Sequence, residues 1–328
     1  MTPATAGRWK IPHQDRIVTP RTTQSYRLSV AIARAVPKQP ALYVVATPIG
    51  NLADITLRAL DILKSVNCVA AEDTRVTGKL LSHYGITVPT LALHQHNERS
   101  GAQKILGLLA KGASVALVSD AGTPGISDPG ARLVNAVRAQ DYPIIPIPGP
   151  CAAVTAVSVS GFADAGFLFF GFLPAQRGAR RRELETLKEQ SCATVFYEAP
   201  HRIRETLADL TELWGSERLL IIARELTKLF ETVHRCALGE AIAWMEQDPN
   251  RQRGEFVLVV EGLPPEWKTS HDAEDRVLET LLKELPVKQA VRLCAALCDA
   301  PKNALYRKAL AIKEQSAAAD VPESSHST

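Results

Sequence analysis

Along the chain, short apolar runs stop abruptly at Gly, Pro, Asp or Glu, and the residues that follow place apolar side chains three and four apart. Each such unit reads as a buried strand, a tight loop and a helix. The clearest is residues 115–118, VALV, which runs into SDAGTPGISDPG and then Leu133, Val134 and Val137 at helical spacing. Residues 42–46, LYVVA, precede TPIGN and a helical pattern at Ile55, Leu57, Leu60, Ile62 and Leu63. Residues 66–71 end in EDTR, residues 90–93 lead to HQHNE, and a helix is expected over 102–109. A further strand over 142–147 runs into PGPCAA, a rigid turn opening a helix of small residues. This alternation predicts an open α/β sheet, in which ligands sit beyond the carboxyl ends of the strands.

From Phe167 the pattern changes. Strands are expected over 167–173, 194–197, 219–223 and 255–260, with helices between most of them. Residues 281–298, a break at Asp299-Ala300-Pro301 and residues 302–310 give a helix-turn-helix pattern with basic termini. The expected organisation is a disordered extension over 1–40, an α/β domain over 41–155 and a second over 156–264. A helical domain over 272–314 and a disordered tail over 315–328 follow.

At 328 residues and 46% hydrophobic, the chain can bury two domains and an appendage. Its net charge is +3, but seven of the 38 basic residues and one of the 35 acidic ones fall in residues 1–40, so the remainder is slightly acidic. Nucleic-acid affinity would have to come from local basic patches. Six scattered cysteines without a CxxC pair read as reduced core residues of a cytosolic protein. The apolar stretch 144–174 is cut by prolines and glycines into pieces too short to span a membrane, and the amino terminus lacks a signal-peptide core.

The chemistry-bearing residues gather at strand ends. Asp120 and Asp128, with Ser127 beside the latter, flank the central loop, where carboxylates suit a ribose or a cation better than a phosphate. Glu72, Asp73 and Arg75 end one strand; Glu198, His201 and Arg202 end another; Glu225 and Lys228 a third. Glu72, Asp73, Glu198, His201 and Glu225 are candidate bases or hydroxyl positioners, and Arg75, Arg202 and Lys228 would hold phosphate or orient the acids. Residues alone do not choose among them. His94 and His96 share a face of an extended segment, but no third ligand follows, so substrate hydrogen bonding is expected there and no metal. Arg177 to Arg182, with four arginines in six residues, is expected to face phosphate through Arg180, Arg181 and Arg182. Lys302 and Arg307 of the C-terminal pair are candidate contacts to a phosphate backbone.

In order, TPIGNLADIT, AAEDTR, HQHNE, VSDAGTPGISDPG, PGPCAA, FYEAPHR, ARELTK and RGEFVLVVEG resemble the tetrapyrrole-methylase family of S-adenosylmethionine-dependent methyltransferases, and within it the branch acting on small-subunit ribosomal RNA. The resemblance covers about residues 41 to 314. It implies two α/β domains with the donor cleft between them, a homodimer, and 2′-O-methylation of a cytidine ribose in the small ribosomal subunit. By the same resemblance Asp120, Ala121, Gly122 and Thr123 would line the donor site with Pro48, Gly50 and Asn51, with Pro148, Gly149, Pro150, Ala152 and Ala153, and with Phe172 and Leu173. Two other readings stand beside it: a non-catalytic RNA-binding assembly factor, and a methyltransferase acting on a tetrapyrrole-like molecule.

Overall fold

The computed structural model describes residues 40–94, 97–162, 166–263, 271–298 and 301–319. The first sheet consists of β1 (Leu42–Val45), β2 (Cys68–Ala71), β3 (Thr90–Ala92), β4 (Val115–Val118) and β5 (Ile144–Ile147), in the order β3-β2-β4-β1-β5. All neighbours are parallel. Four helices make the crossovers: α1 (Leu57–Ser65), α2 (Thr74–His83), α3 (Glu98–Ala110) and α4 (Ala131–Arg138). Alternate residues of each strand feed two cores: Tyr43, Val45, Val69 and Val118 meet α1 and α2, whereas Leu42, Ala70, Val115 and Leu117 meet α3 and α4. A sheet covered on both faces accounts for the unbroken apolar runs. Pro146 is tolerated because β5 is an edge strand.

After α5 (Ala152–Ser158) come β6 (Phe167–Phe172), α6 (Arg177–Leu187), β7 (Ala193–Glu198), α7 (Ile203–Trp214), β8 (Leu219–Arg224), β9 (Thr232–Ala237), α8 (Leu238–Glu246) and β10 (Phe256–Val260). The second sheet is ordered β6-β7-β10-β8-β9, with β6 and β7 parallel and the other pairs antiparallel. Phe196, Leu220, Ile222, Phe256 and Leu258 share a core with Leu184, Leu207 and Leu238 of α6, α7 and α8. The opposite face, with Val195, Ile221, Ala223, Val257 and Val259, packs on α5 and on Ile49 of the TPIGN loop. That contact sets the carboxyl edge of the first sheet against the front of the second. β9 was not expected from the sequence; it is a half-exposed edge strand carrying His234 and Arg235, and so lacks an apolar run.

The C-terminal region is three helices, α9 (His271–Glu284), α10 (Val287–Cys298) and α11 (Lys302–Ala319), packed around Leu278, Val291, Cys294, Leu305 and Ala309. The pattern expected as one helix over 281–298 breaks at Pro286, which cannot continue the α9 ladder. α11 continues through Ala319, past residue 314 where a disordered tail was expected. Among the described residues no helix is long and apolar enough to cross a membrane.

Candidate active site between the two sheets

Four loops leave the carboxyl edge of the first sheet and are tied to one another. Thr47, just after β1, exchanges both backbone hydrogen bonds with Gly122 (2.9 and 3.0 Å), and its hydroxyl donates to the Ser119 carbonyl (3.0 Å). Gly122 has φ 91°, a conformation that glycine adopts without strain. Thr123 Oγ1 donates to the Pro150 carbonyl (3.0 Å), joining the loops after β4 and β5. Asp120 Oδ1 accepts from the Asp73 backbone N–H (2.9 Å), joining the loops after β4 and β2. From the facing sheet, Gly171 (φ 84°) lies at a β-bulge and comes so close that a Cβ there would stand 2.7 Å from Ser127 Oγ.

Between these loops and the front of the second sheet lies a cavity of about 510 Å³. Ala121, Gly122, Thr123, Ile126, Ser127 and Asp128 form one wall; Ile49, Cys151 and Ala152 another; Phe172, Tyr197, His201, Ala223, Leu226, Glu255 and Val257 the third. Tyr197 meets Phe169 and Phe172 edge-on, at centroid distances of 5.0 and 5.6 Å. Its hydroxyl accepts from Ala153 N (3.1 Å), which fixes the start of α5. Burial pushes the Tyr197 phenol well above its ordinary range, so it stays neutral.

The site is electronegative. Burial, then the charges of Asp128 and Asp120, raises the Glu72 pKa; burial and then Asp120 raise that of Asp128. Neither forms an ion pair among the described residues. Asp73 differs: hydrogen bonds from the Arg75 guanidinium bring it down to about 2. A cation entering beside Asp128 would relieve this repulsion, while the apolar walls could receive a heteroaromatic base. The cavity therefore fits S-adenosylmethionine, whose sulfonium, ammonium and adenosine need those two environments.

The structure divides the expected residues. Ala121, Gly122, Thr123, Ser127, Asp128, Ala152, Phe172, Glu198 and His201 border the cavity. Asp120, Pro150 and Ala153 instead brace its loops through the bonds above. Gly149 packs on Ala46, and Gly50 lies where a Cβ would overlap Lys228 Cγ, so both serve close approach. Pro48 is half-buried and Pro148 exposed, outside the lining. Asn51 caps the 3-10 turn Leu52–Asp54, its Oδ1 accepting from Ala53 N (3.0 Å), and lies outside the cavity lining. Leu173 is a core residue of the second domain and does not face the cleft.

Three candidate bases are committed elsewhere. Strand alternation turns Tyr197 to the cavity and the Glu198 side chain to the helix side, where its carboxylate accepts from Thr206 Oγ1 (2.6 Å) and Ala199 N (2.8 Å) and pairs with Arg202. Arg202 also donates to the Leu173 carbonyl (2.6 Å), so it braces the protein interior and does not reach for phosphate. Glu225 accepts from Lys228 Nζ (2.8 Å) and Glu255 N (3.0 Å), and Lys228 also bonds Glu255 Oε2 (2.9 Å). Burial lowers the Lys228 pKa, but the two carboxylates overcome that and raise it. Asp73 is held by Arg75. Glu72 and His201 remain.

The arginine run is corrected as well. Arg180 is fully buried and donates to Asp209 (2.8 Å) and Glu205 (3.2 Å); Arg177 and Arg181 also bond Asp209, at 3.1 and 3.2 Å, and Arg181 grips Glu212 with two bonds of 2.6 Å. The neutralising acids come from α7, a different element, at positions 205, 209 and 212 on one helix face. Arg182 alone of the three stays exposed without an ion pair among the described residues. His94 donates its backbone N–H to Asn97 Oδ1 (2.8 Å); His96 lies outside the described residues. Lys302 and Arg307 are exposed on α11. Tyr197, missed in the sequence, was signalled by period-two alternation in FYE. No group of three His, Cys, Asp or Glu among the described residues is placed to hold a metal ion.

Residues 41–242 match the family described as Tetrapyrrole (Corrin/Porphyrin) Methylases, and residues 269–313 match the RsmI C-terminal HTH domain. Ribosomal RNA small subunit methyltransferase I of Vibrio cholerae is 50% identical over 82% of this chain and 93% of its own length; that of Escherichia coli O157:H7 is 47% identical over 83% and 95%. Among solved structures, the methyltransferase CobJ aligns with TM-score 0.52 at 19% identity, covering 68% of this chain and 94% of that one, a likeness of fold. A cleft between two α/β sheets that suits a sulfonium donor, a family match over most of both sheets, and relatives at half identity agree: the chain belongs to the tetrapyrrole methylase family.

Proposed function

We propose that the protein methylates the 2′-hydroxyl of a cytidine ribose in small-subunit ribosomal RNA, using S-adenosylmethionine, and that its substrate is the ribosomal subunit in the cytoplasm. The observation that carries the reading is the electronegative, apolar-walled cavity between the sheets, in a chain whose relatives are named for this RNA. Bound there, the donor would supply an electrophilic methyl on a cationic sulfur. Asp128 and Glu72 would balance that charge, Ile49, Tyr197, Leu226 and Val257 would enclose the adenosine, and Ser127 with the loop backbone would orient it. Proton removal from the hydroxyl falls to Glu72 or His201, the two candidates not committed elsewhere; single-turnover rates of Glu72→Gln and His201→Ala separate them.

RNA is favoured over a porphyrin-like acceptor because a C-terminal helical domain presents Lys302 and Arg307 to solvent. A homodimer is supported by the family and by the exposed apolar residues Leu229 and Phe230, just before edge strand β9, and Val233 within it. The deciding experiment incubates the protein with labelled donor and small subunits lacking the modification, then maps the label by nuclease digestion and mass spectrometry. Label on a cytidine ribose is expected. Label on a base, preference for a tetrapyrrole precursor, or absence of donor binding by calorimetry would overturn the proposal.

A further inference from the structure

We propose that Glu98 is a positioning residue whose carboxylate caps α4 from outside and thereby holds the distal end of the donor loop, residues 119–130. This deepens the reading above, since the loop is the one that would hold the donor. α4 begins after Gly130, which has φ 134° and no side chain with which to cap the helix. The first N–H groups of a helix have no partner within it and must find one elsewhere. Glu98 Oε1 meets two of the N-terminal groups, lying 3.1 Å from Gly130 N and 3.2 Å from Arg132 N, while Oε2 lies 3.5 Å from Arg132 Nε. Glu98 is 8% exposed, and a negative charge at a helix N-terminus is favoured by the helix dipole.

The near end of the loop is clamped by the Thr47–Gly122 pair, but between that clamp and α4 the chain passes through Gly125 (φ 83°) and Ser127 (φ 65°), where cavity residues Ile126, Ser127 and Asp128 lie. Its far end is pinned on one side by Leu117, whose Cδ2 would stand 2.9 Å from a Cβ on residue 130, and on the other by Glu98. Glu98 is itself fixed to the first sheet: the preceding Asn97 accepts from His94 N (2.8 Å) and donates to the Ala92 carbonyl (3.1 Å) at the end of β3. The Asn97-Glu98 pair thus relates the β3 end to the placement of Asp128, two residues before the capped glycine.

Both backbone bonds go to the same oxygen, which makes the test specific. Glu98→Gln keeps that acceptor; Glu98→Ala removes it; Glu98→Asp keeps the charge but withdraws it by one methylene. Calorimetry with S-adenosylmethionine on the full-length protein should show affinity reduced about tenfold or more in the Ala and Asp variants, and within about threefold of wild type in Gln. Hydrogen exchange on the donor-free protein should show protection lost at the Gly130 and Arg132 amides in Ala and Asp, retained in Gln, with core amides of β4 unchanged. A merely structural role would lower protection and melting temperature throughout. Wild-type affinity in both Ala and Asp, or a Gln variant as impaired as they are, would overturn the inference, and Asp decides if Ala does not fold. Failure of the wild type to bind the donor would sink the proposed function instead, while the exchange experiment would still test the cap.

Discussion

At the scale of single residues, the site keeps carboxylates in a setting that disfavours their charge. Asp128 has its folded pKa raised above the unfolded value, chiefly by burial and then by Asp120. The sign follows: its protonated form favours folding, a contribution complete below the ordinary Asp pKa and lost as pH rises through the raised one. At neutral pH its ionised form is therefore a cost that donor binding would offset. Asp128→Asn should raise the melting temperature at neutral pH by ~1–3 °C, with the difference vanishing in acid, and should weaken donor binding. Thermal scans across pH, paired with calorimetry, check both; a variant destabilised at neutral pH would show that Asp128 is instead stabilised where it stands.

Between elements, the α6–α7 contact is organised around one buried carboxylate. Burial pushes the Asp209 pKa up, but hydrogen bonds from Arg180, Arg177 and Arg181 outweigh it and hold it below the usual range. Asp209→Ala would strand the fully buried Arg180 guanidinium and should cost about 3–5 kcal/mol in denaturant unfolding. A loss below about 1 kcal/mol would mean that water or Glu205 takes over the pairing. The contact between the two sheets is tested at Gly50. An alanine Cβ there would overlap Lys228 Cγ and stand 2.9 Å from Thr227 Oγ1 and 3.1 Å from the Leu226 carbonyl. Gly50→Ala should displace Leu226 from the cavity wall and weaken donor binding several-fold in calorimetry, because backbone as well as side chain must give way.

For the whole molecule, the cavity is built without any described residue of the C-terminal helices, which have their own core. A chain ending at Leu263 should keep donor affinity within about twofold yet lose most turnover on ribosomal subunits, with a smaller salt dependence of RNA binding for each exposed cation removed. Equal loss of both activities would show that the helical domain supports the cleft itself.

Much of the first domain could be read directly from the chain. Its parallel strands are buried on both faces, so each is a plain apolar run such as VALV, and its ligand loops must follow those runs at the carboxyl edge. The motif loops are therefore legible in the chain, whereas the period-two alternation in FYE, which turns Tyr197 and not the Glu198 side chain to the cavity, was missed. What the chain could not reveal was which charges face each other. The arginines of α6 find their counter-ions 25 to 32 residues further on, Glu98 caps a helix that begins 33 residues later, and β9 is a strand because β8 offers it an edge. Burial and pairing of a charge depend on elements meeting in space, and local spacing carries no record of that. Only the packed structure decided that the basic run is an internal brace and that three of the five candidate bases, Asp73, Glu198 and Glu225, are committed to cationic partners.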